Sequence, residues 1–192
     1  MNKHKLTLGD LQNQQKLDLV LSQAFVNQPH LMVEVGQRFA ELGRFHDSTV
    51  RPSPGATSSS STAALEAMLI HVPGRIEVLG KHTDYAGGLS LTSASHRSLL
   101  SVVTSHPSPS LIISDSIRGI QIELPYDNPQ VVEGQSWSTY IVAVLGRLIR
   151  HYGIPTSGVS ISLASNLPSA SGMSSSSGLV ISIALALLGK GG

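Results

Sequence analysis

After residue 68 the apolar residues follow a strand period first and a helical period later, and this order limits the fold class. Strand patterns are predicted for residues 68–72, 75–79, 98–104, 110–114 and 119–124. There follow a helix over 136–152 ended by Gly153, a strand over 159–163 and a helix over 175–188. Strands grouped in this way predict an α+β fold, with a mostly antiparallel sheet packed with helices.

The connections between these segments suggest how the strands pair. Pro73-Gly74 is typical of a turn between the first two strands. The next three strands are separated by short gaps, so we expect an antiparallel meander. The strand over 159–163 alternates apolar residues with serine, which predicts that one of its faces is buried and the other exposed.

The first fifty residues predict a helical N-terminal extension, with helices over 11–28 and 31–45. Residues 51–62 are rich in Ser and Pro and cannot bury enough apolar area to offset chain entropy, so we interpret them as a linker. Residues 63–192 then form the main domain. The extension is either a packing appendage or an arm that binds a protein partner.

Composition excludes several classes of partner. The formal net charge of the 192 residues is +1 without basic clusters, which argues against nucleic acid. There is no cysteine, so disulfides and thiolate metal sites are excluded. The longest apolar run, 179–188, is about half of the ~20 residues that cross a bilayer, and no signal peptide is recognisable. No membrane partner is expected, and the cytoplasm is the default location.

A polar loop follows the predicted strand 75–79. His82, Asp84 and Tyr85 offer donors and acceptors for a polyhydroxyl ligand, and Gly87-Gly88 lets the chain turn back. Arg75, at the start of the strand, could stabilise the charge of a transferring phosphate. Two other interpretations remain open: a metal held by His82 and Asp84, and a plain hairpin with an Asx turn.

A serine-rich loop precedes the last helix. Between Pro168 and Gly178 lie six serines and Gly172, a composition suited to a helix N-terminus that binds phosphate. A serine hydroxyl here could also bind the Mg²⁺ of a nucleotide. The pattern is neither a Walker A motif nor a Rossmann fingerprint. The alternative is a serine-rich segment that only caps the helix.

Together these motifs resemble the galactokinase/homoserine kinase/mevalonate kinase/phosphomevalonate kinase superfamily. Residues 73–88, PGRIEVLGKHTDYAGG, are similar to the galactokinase signature PGRVNLIGEHTDYNGG. Residues 168–178 resemble the second family motif, PxGxGLSSSA, and Trp137 and Tyr140 resemble the helix between the two motifs. The resemblance covers about residues 68–188 and implies the N-terminal domain of a sugar kinase, with a ribosomal-S5-like fold.

The resemblance also implies a role for each matched residue. Arg75 would be catalytic, beside the reacting hydroxyl and the transferred phosphate. The sugar would contact Lys81, His82, Asp84 and Tyr85. ATP would contact Pro168, Gly172, Met173, Ser174, Ser175, Ser176 and Ser177, and Ser176 would also meet Mg²⁺.

Three departures from the family pattern matter. Lys81 replaces a sugar-binding glutamate, so a donor stands where the family has an acceptor. We therefore hypothesise an acidic or otherwise altered sugar instead of galactose. Ala170 replaces a loop glycine and Ser177 an alanine. The family's catalytic aspartate and third motif belong to later segments, so this chain would be an N-terminal portion without its C-terminal domain.

Two functions follow from these observations. The first is ATP-dependent phosphorylation of a monosaccharide, with little or no turnover by the 192-residue chain alone. The alternative is a non-catalytic regulator that senses sugar and ATP.

Overall fold

The computed structural model describes residues 5–50, 62–155, 157–168 and 171–190. Within these ranges one six-stranded sheet carries two helices on each face. The elements, in chain order, are β1 Leu6–Thr7, α1 Gln14–Ala24, α2 Pro29–Val50, β2 Glu66–Leu79, β3 Leu91–His106, β4 Ser110–Asp115, β5 Ile120–Pro125, α3 Ser138–Tyr152, β6 Gly158–Ser165 and α4 Ser175–Lys190. The predicted α+β class is confirmed, and so are the four helical segments.

The sheet order is β1-β2-β3-β6-β4-β5. The predicted meander is wrong because β6 lies between β3 and β4, antiparallel to the first and parallel to the second. A parallel pair needs a long crossover, which here runs through β5 and α3. Local gap lengths could not reveal this insertion, because it depends on pairing between residues that lie 48 or more positions apart, such as Leu111 and Val159.

Strand β6 is buried on both faces. Val159, Ile161 and Leu163 face the core under α3 and α4, while Ser160 and Ser162 lie beneath α2. The prediction of a half-buried strand is therefore wrong. Its serine face looks solvent-exposed by composition, but the N-terminal helices cover it.

The predicted turn at Pro73-Gly74 is also wrong. Strand β2 continues from Glu66 to Leu79, and its register against β3 shifts between Pro73 and Arg75. Proline has no N–H to give to a ladder, and an irregularity in the pairing tolerates that loss. The Pro-Gly pair therefore marks a bulge within one strand instead of a reversal between two.

Helix α3 ends as the sequence predicts. Gly153 follows it with φ 88°, and its N–H donates to the carbonyl of Ile149 at 2.8 Å. This left-handed position favours glycine because it lacks a Cβ. None of the described helices is both long and apolar enough to cross a membrane.

The N-terminal helices form a second core on the sheet. Phe39 of α2 and Leu17 of α1 are buried in the cluster that also contains Leu100 and Val102 of β3. Strand β1 pairs with β2 at the sheet edge. Residues 51–61 of the predicted linker lie outside the described residues, and the division of the chain into domains stays a prediction.

His46 of α2 joins this helix to the middle of the sheet. Its side chain is fully buried, with Nδ1 2.8 Å from Ser162 Oγ and Nε2 2.9 Å from Thr104 Oγ1. Burial lowers the pKa of His46 from 6.5 to about 4, although Asp47 opposes the shift. The folded protein therefore holds this imidazole neutral, and both ring nitrogens are used.

We predict a pH-dependent stability that originates at His46. Between pH 6.5 and about 4, His46 is protonated in the unfolded chain but stays neutral in the folded chain. The free energy of unfolding therefore falls as the pH falls. The full loss is on the order of 3 kcal/mol. His46→Gln, which can hydrogen-bond but not titrate here, should reduce this dependence in urea unfolding measured from pH 7.5 to 4.5. The part that remains would come from His71 and His106, whose pKa values burial also lowers. His30→Gln, an exposed change on the same helix, should leave the pH dependence unaltered. An unchanged slope in His46→Gln would contradict the assignment.

Candidate sugar and nucleotide site

The turn between β2 and β3 is organised around Thr83. Its hydroxyl lies 2.7 Å from the carbonyl oxygen of Gly80 and 3.0 Å from that of Leu89. Its own carbonyl accepts hydrogen bonds from the N–H groups of Ala86 and Gly88, at 3.1 and 2.8 Å. Sequence reasoning missed Thr83 because its side chain bonds the backbone of its own turn, and such a residue carries no ligand signal of its own. Its signal was a threonine three residues after a turn glycine, where a hydroxyl can bond the backbone.

Gly80 is required by the same turn. Its φ is 83°, and a Cβ there would lie 2.3 Å from the carbonyl oxygen of Leu89. No side chain fits in that space without moving backbone. The backbone of this turn is therefore tightly constrained, and residues 81–85 lie at its tip.

The predicted sugar-binding residues all lie at this tip. Lys81, His82 and Tyr85 are exposed. The His82 ring stacks on Tyr85, with centroids 5.5 Å apart and an interplanar angle of 20°. Asp84 begins a short 3₁₀ turn, and its side chain lies outside the described part of the structure. The tip therefore carries a stacked pair of rings and an exposed lysine.

The serine-rich loop leads into α4 at Ser175. Ser171 Oγ donates to the carbonyl of Pro168 at 2.8 Å, and Gly172 has φ 72°. The Gly178 N–H donates to the Ser174 carbonyl at 2.9 Å, which closes the first helical turn. The preceding N–H groups of that turn have no intrahelical acceptor. Ser169 and Ala170, including the predicted departure at 170, lie outside the described residues.

Each predicted loop contains one strained residue. Among the described residues, the non-glycine positions with positive φ are His82, at 62°, and Ser174, at 61°. Such conformations cost about 1–3 kcal/mol and concentrate at ligand sites. Their occurrence in these two loops is an observation independent of the motif matches.

The strand that carries Arg75 touches the serine loop. The N–H of Arg75 donates to the carbonyl of Met173 at 3.2 Å. A Cβ on Gly74 would lie 2.5 Å from Leu167 Cδ2 and 3.3 Å from the Met173 oxygen, so glycine permits this approach. The Arg75 guanidinium is half exposed and lies 3.6 Å from the Glu77 carboxylate. The structure thus brings Arg75 to the serine loop, whereas no hydrogen bond between described residues joins that loop to the 81–85 tip.

A cleft of about 520 Å³ opens beside the start of α4. Its lining includes Ser175 and Ser176 of α4 and the ring residues Trp137 and Tyr140 near the start of α3; the other lining residues are Leu99, Asp115, Ile117, Arg118, Leu163, Ser165, Leu167 and Leu179. The volume lies within the 300–1,000 Å³ usual for small-molecule sites. Apolar walls with hydroxyls at one end suit a nucleotide whose phosphates lie at the helix N-terminus.

The β4–β5 turn supplies a part of this cleft that the sequence predictions did not include. Asp115 Oδ1 accepts from the N–H groups of Ile117 and Arg118 at 2.9 and 3.0 Å, and its Oδ2 accepts from Arg118 Nη1 at 3.0 Å. Asp115 followed by Gly119, at φ 66°, is a recognisable turn signal. Nothing in the local sequence indicated that this turn and α4 line the same cleft.

Metal ligands are sparse around the cleft. The described residues contain no group of three or more His, Asp or Glu side chains that could hold an ion. The exposed Ser176 hydroxyl is suited to Mg²⁺ that is held mainly by nucleotide phosphates. This donor set fits a nucleotide-borne ion better than a resident one.

Two family models match the chain. The model for the GHMP kinases N terminal domain matches residues 139–190, which include the serine loop and α4. The model for the galactokinase galactose-binding signature matches residues 61–104, which include the hairpin of β2 and β3. The two matched regions are those that meet at Arg75 and Met173.

Two curated relatives of this chain are galactokinases. Galactokinase of Streptomyces coelicolor is 33% identical over 116 residues, which are 60% of this chain and 30% of the relative. Galactokinase of Thermotoga neapolitana is 31% identical over 120 residues, 62% of this chain and 32% of the relative. The chain thus spans about a third of the length of these relatives.

Solved structures agree with the fold. Galactokinase of Lactococcus lactis complexed with galactose aligns with TM-score 0.57 and 25% identity, over 64% of this chain and 32% of that one. Mevalonate kinase of Methanococcus jannaschii aligns with TM-score 0.55 and 18% identity, over 65% of this chain and 40% of that one, and shows the fold alone. The chain is thus similar to galactokinases over about 60% of its length, matches two family models of GHMP kinases and galactokinases, and shares their fold.

Proposed function

We propose that this chain carries the sugar- and ATP-binding side of an ATP-dependent sugar kinase. The observation that carries the proposal is the hydrogen bond from the Arg75 N–H to the Met173 carbonyl. It holds the strand of the galactokinase signature against the loop of the second family motif. A sugar held along β2 and a nucleotide held at α4 would therefore meet at Arg75.

The nucleotide side rests on the start of α4. ATP phosphates would accept from the free N–H groups of its first turn and lie at the positive end of its dipole. Gly172, Met173 and Ser174 shape the loop backbone around them, Pro168 begins it, and Ser175 to Ser177 supply exposed hydroxyls. Mg²⁺, when bound, would neutralise charge on the transferring phosphate.

The sugar side rests on Arg75 and the hairpin tip. His82 and Asp84 would hydrogen-bond sugar hydroxyls, and Tyr85 would offer its ring face. One relative was solved with galactose, but Lys81 stands where the galactokinase signature has glutamate. An ammonium donates only, so it fits a carboxylate-bearing sugar better than a neutral one.

In the proposed reaction a sugar hydroxyl oxygen bonds to the γ-phosphorus of ATP, and the bond from that phosphorus to ADP breaks. The half-exposed Arg75 guanidinium would stabilise charge on the transferring group. A base must receive the hydroxyl proton. Asp115 is the one carboxylate among the described residues that line the cleft, and both of its oxygens already accept hydrogen bonds.

That engagement of Asp115 leads to a prediction about turnover. We expect the 192-residue chain to bind ligands but to release little or no ADP, because the described residues that line the cleft include no carboxylate free of hydrogen bonds. A coupled ADP-release assay across a panel of neutral and acidic monosaccharides tests this. Rates of about 1–100 s⁻¹, which are usual for kinases, would contradict it. Binding without turnover is also what the alternative function, a sugar- and ATP-sensing regulator, requires.

Nucleotide binding is tested by calorimetry with MgADP. Ser176→Ala should weaken binding roughly 10- to 150-fold, because a hydrogen bond or ligand bond to a charged group is worth about 1.5–3 kcal/mol. Ser22→Ala, an exposed serine on α1, should leave the affinity unchanged. If the unaltered chain shows no heat with MgADP, the proposed nucleotide site is wrong. If Ser176→Ala binds normally, the metal contact assigned to Ser176 is wrong.

The sugar preference is tested at Lys81. We expect galacturonate to bind more tightly than galactose, and Lys81→Glu to reverse this order by roughly 10-fold or more, since a like charge would then face the carboxylate. Lys16→Glu, at an exposed lysine of α1, provides the charge-matched control. Tight binding of galactose together with no binding of uronic acids would refute the proposal.

A further inference from the structure

Arg38 of α2 makes a forked contact with the sheet. Its Nη1 donates to Ser98 Oγ and its Nη2 to the Ser98 carbonyl, each at 3.1 Å. Ser98 is fully buried and Arg38 is half-buried. Burial lowers the pKa of Arg38, while Glu34 and Glu41 oppose the shift. Burying part of a guanidinium costs free energy. A half-buried arginine with two hydrogen bonds to one residue therefore suggests a specific structural role.

Ser98 also hydrogen-bonds the residue that follows β6. Its N–H donates to Asn166 Oδ1 at 2.7 Å, and its carbonyl accepts from the Asn166 N–H at 3.3 Å. The Asn166 carbonyl in turn accepts from Arg97 Nη1 at 3.1 Å. Asn166 directly follows β6 and is two residues before Pro168, where the serine loop begins. The backbone that enters the loop is therefore held on Ser98.

The same residues adjoin the bulge that carries Arg75. Ser98 pairs with Pro73, and the next pair along the two strands is Arg75 with Ala94. Leu167, directly after Asn166, lies against Gly74. Ser98 thus contacts α2 on one side, and on the other it fixes both the bulged strand and the entrance to the serine loop.

We infer that Arg38 is a positioning residue for the serine loop: through Ser98 and Asn166 it sets where the loop leaves β6 and meets Arg75. The inference rests on the proposed nucleotide site for its functional consequence. It gives the N-terminal helix α2 a role that is neither passive packing nor partner binding.

The test uses Arg38→Met, which keeps an apolar stem, and Arg38→Lys, which keeps the charge but cannot fork. The matched control is Arg44→Met, at an exposed arginine of the same helix that donates to Gln12. Circular dichroism checks folding. Hydrogen exchange without ligand is followed in peptides covering residues 166–174, 30–45 and 100–104, and MgADP affinity is measured by calorimetry.

We expect both Arg38 variants to speed exchange at 166–174 by about 10-fold, with the other two regions unchanged. MgADP affinity should fall by about 5- to 50-fold, and Arg44→Met should match the parent chain. Unchanged exchange at 166–174, or equal acceleration in 30–45, would overturn the inference, the latter because it means only that α2 has loosened. If Arg38→Met does not fold, hydrogen exchange and MgADP affinity of Arg38→Lys are judged by the same criteria. If the parent chain fails to bind MgADP, the proposed function fails, whereas the exchange result still decides the role of Arg38.

Discussion

The hydrogen bond between the Arg75 N–H and the Met173 carbonyl is the contact on which the candidate site depends. It exists because β2 changes register at Gly74, where a side chain would crowd Leu167 and the Met173 oxygen. The Arg75 N–H next to this bulge is directed at the serine loop, and the missing side chain at Gly74 lets that loop approach. The proline and glycine of the PGR sequence are thus explained by geometry as well as by family resemblance.

The sheet supports this contact from both faces. On one face α3 and α4 enclose the main core and the 520 Å³ cleft. On the other, α2 packs its apolar residues on β3, bonds His46 to Ser162 and Thr104, and bonds Arg38 to Ser98. The sites at His46 and Arg38 are polar contacts in an otherwise apolar interface. Such contacts favour one docking position of the helix, because a displaced helix would leave buried groups unpaired.

Local sequence patterns were sufficient to predict the helices and the presence of most strands. The 3.6-residue spacing in α3 and the glycine after it depend only on neighbouring residues, and Gly153 lies where the pattern predicts. The serine loop and the 81–85 turn were found in the same way, and each proved to contain a strained residue.

What could not be predicted depends on contacts distant in sequence. Three features need the assembled sheet: the position of β6 between β3 and β4, the burial of its serine face, and the cleft that the Asp115 turn shares with α4. Pro73-Gly74 was misread because proline and glycine mark bulges as well as turns. Thr83 and Arg38 were missed because they hold backbone in place and carry no ligand signal of their own.

The most direct test is a crystal structure of the chain grown with MgADP and an acidic monosaccharide. The predicted result is a β-phosphate within hydrogen-bond distance of N–H groups at the start of α4, with the sugar between Arg75 and the 81–85 turn. The Arg75–Met173 hydrogen bond should be retained. A nucleotide bound elsewhere, or a sugar and nucleotide on separate surfaces, would contradict a single site built across that bond.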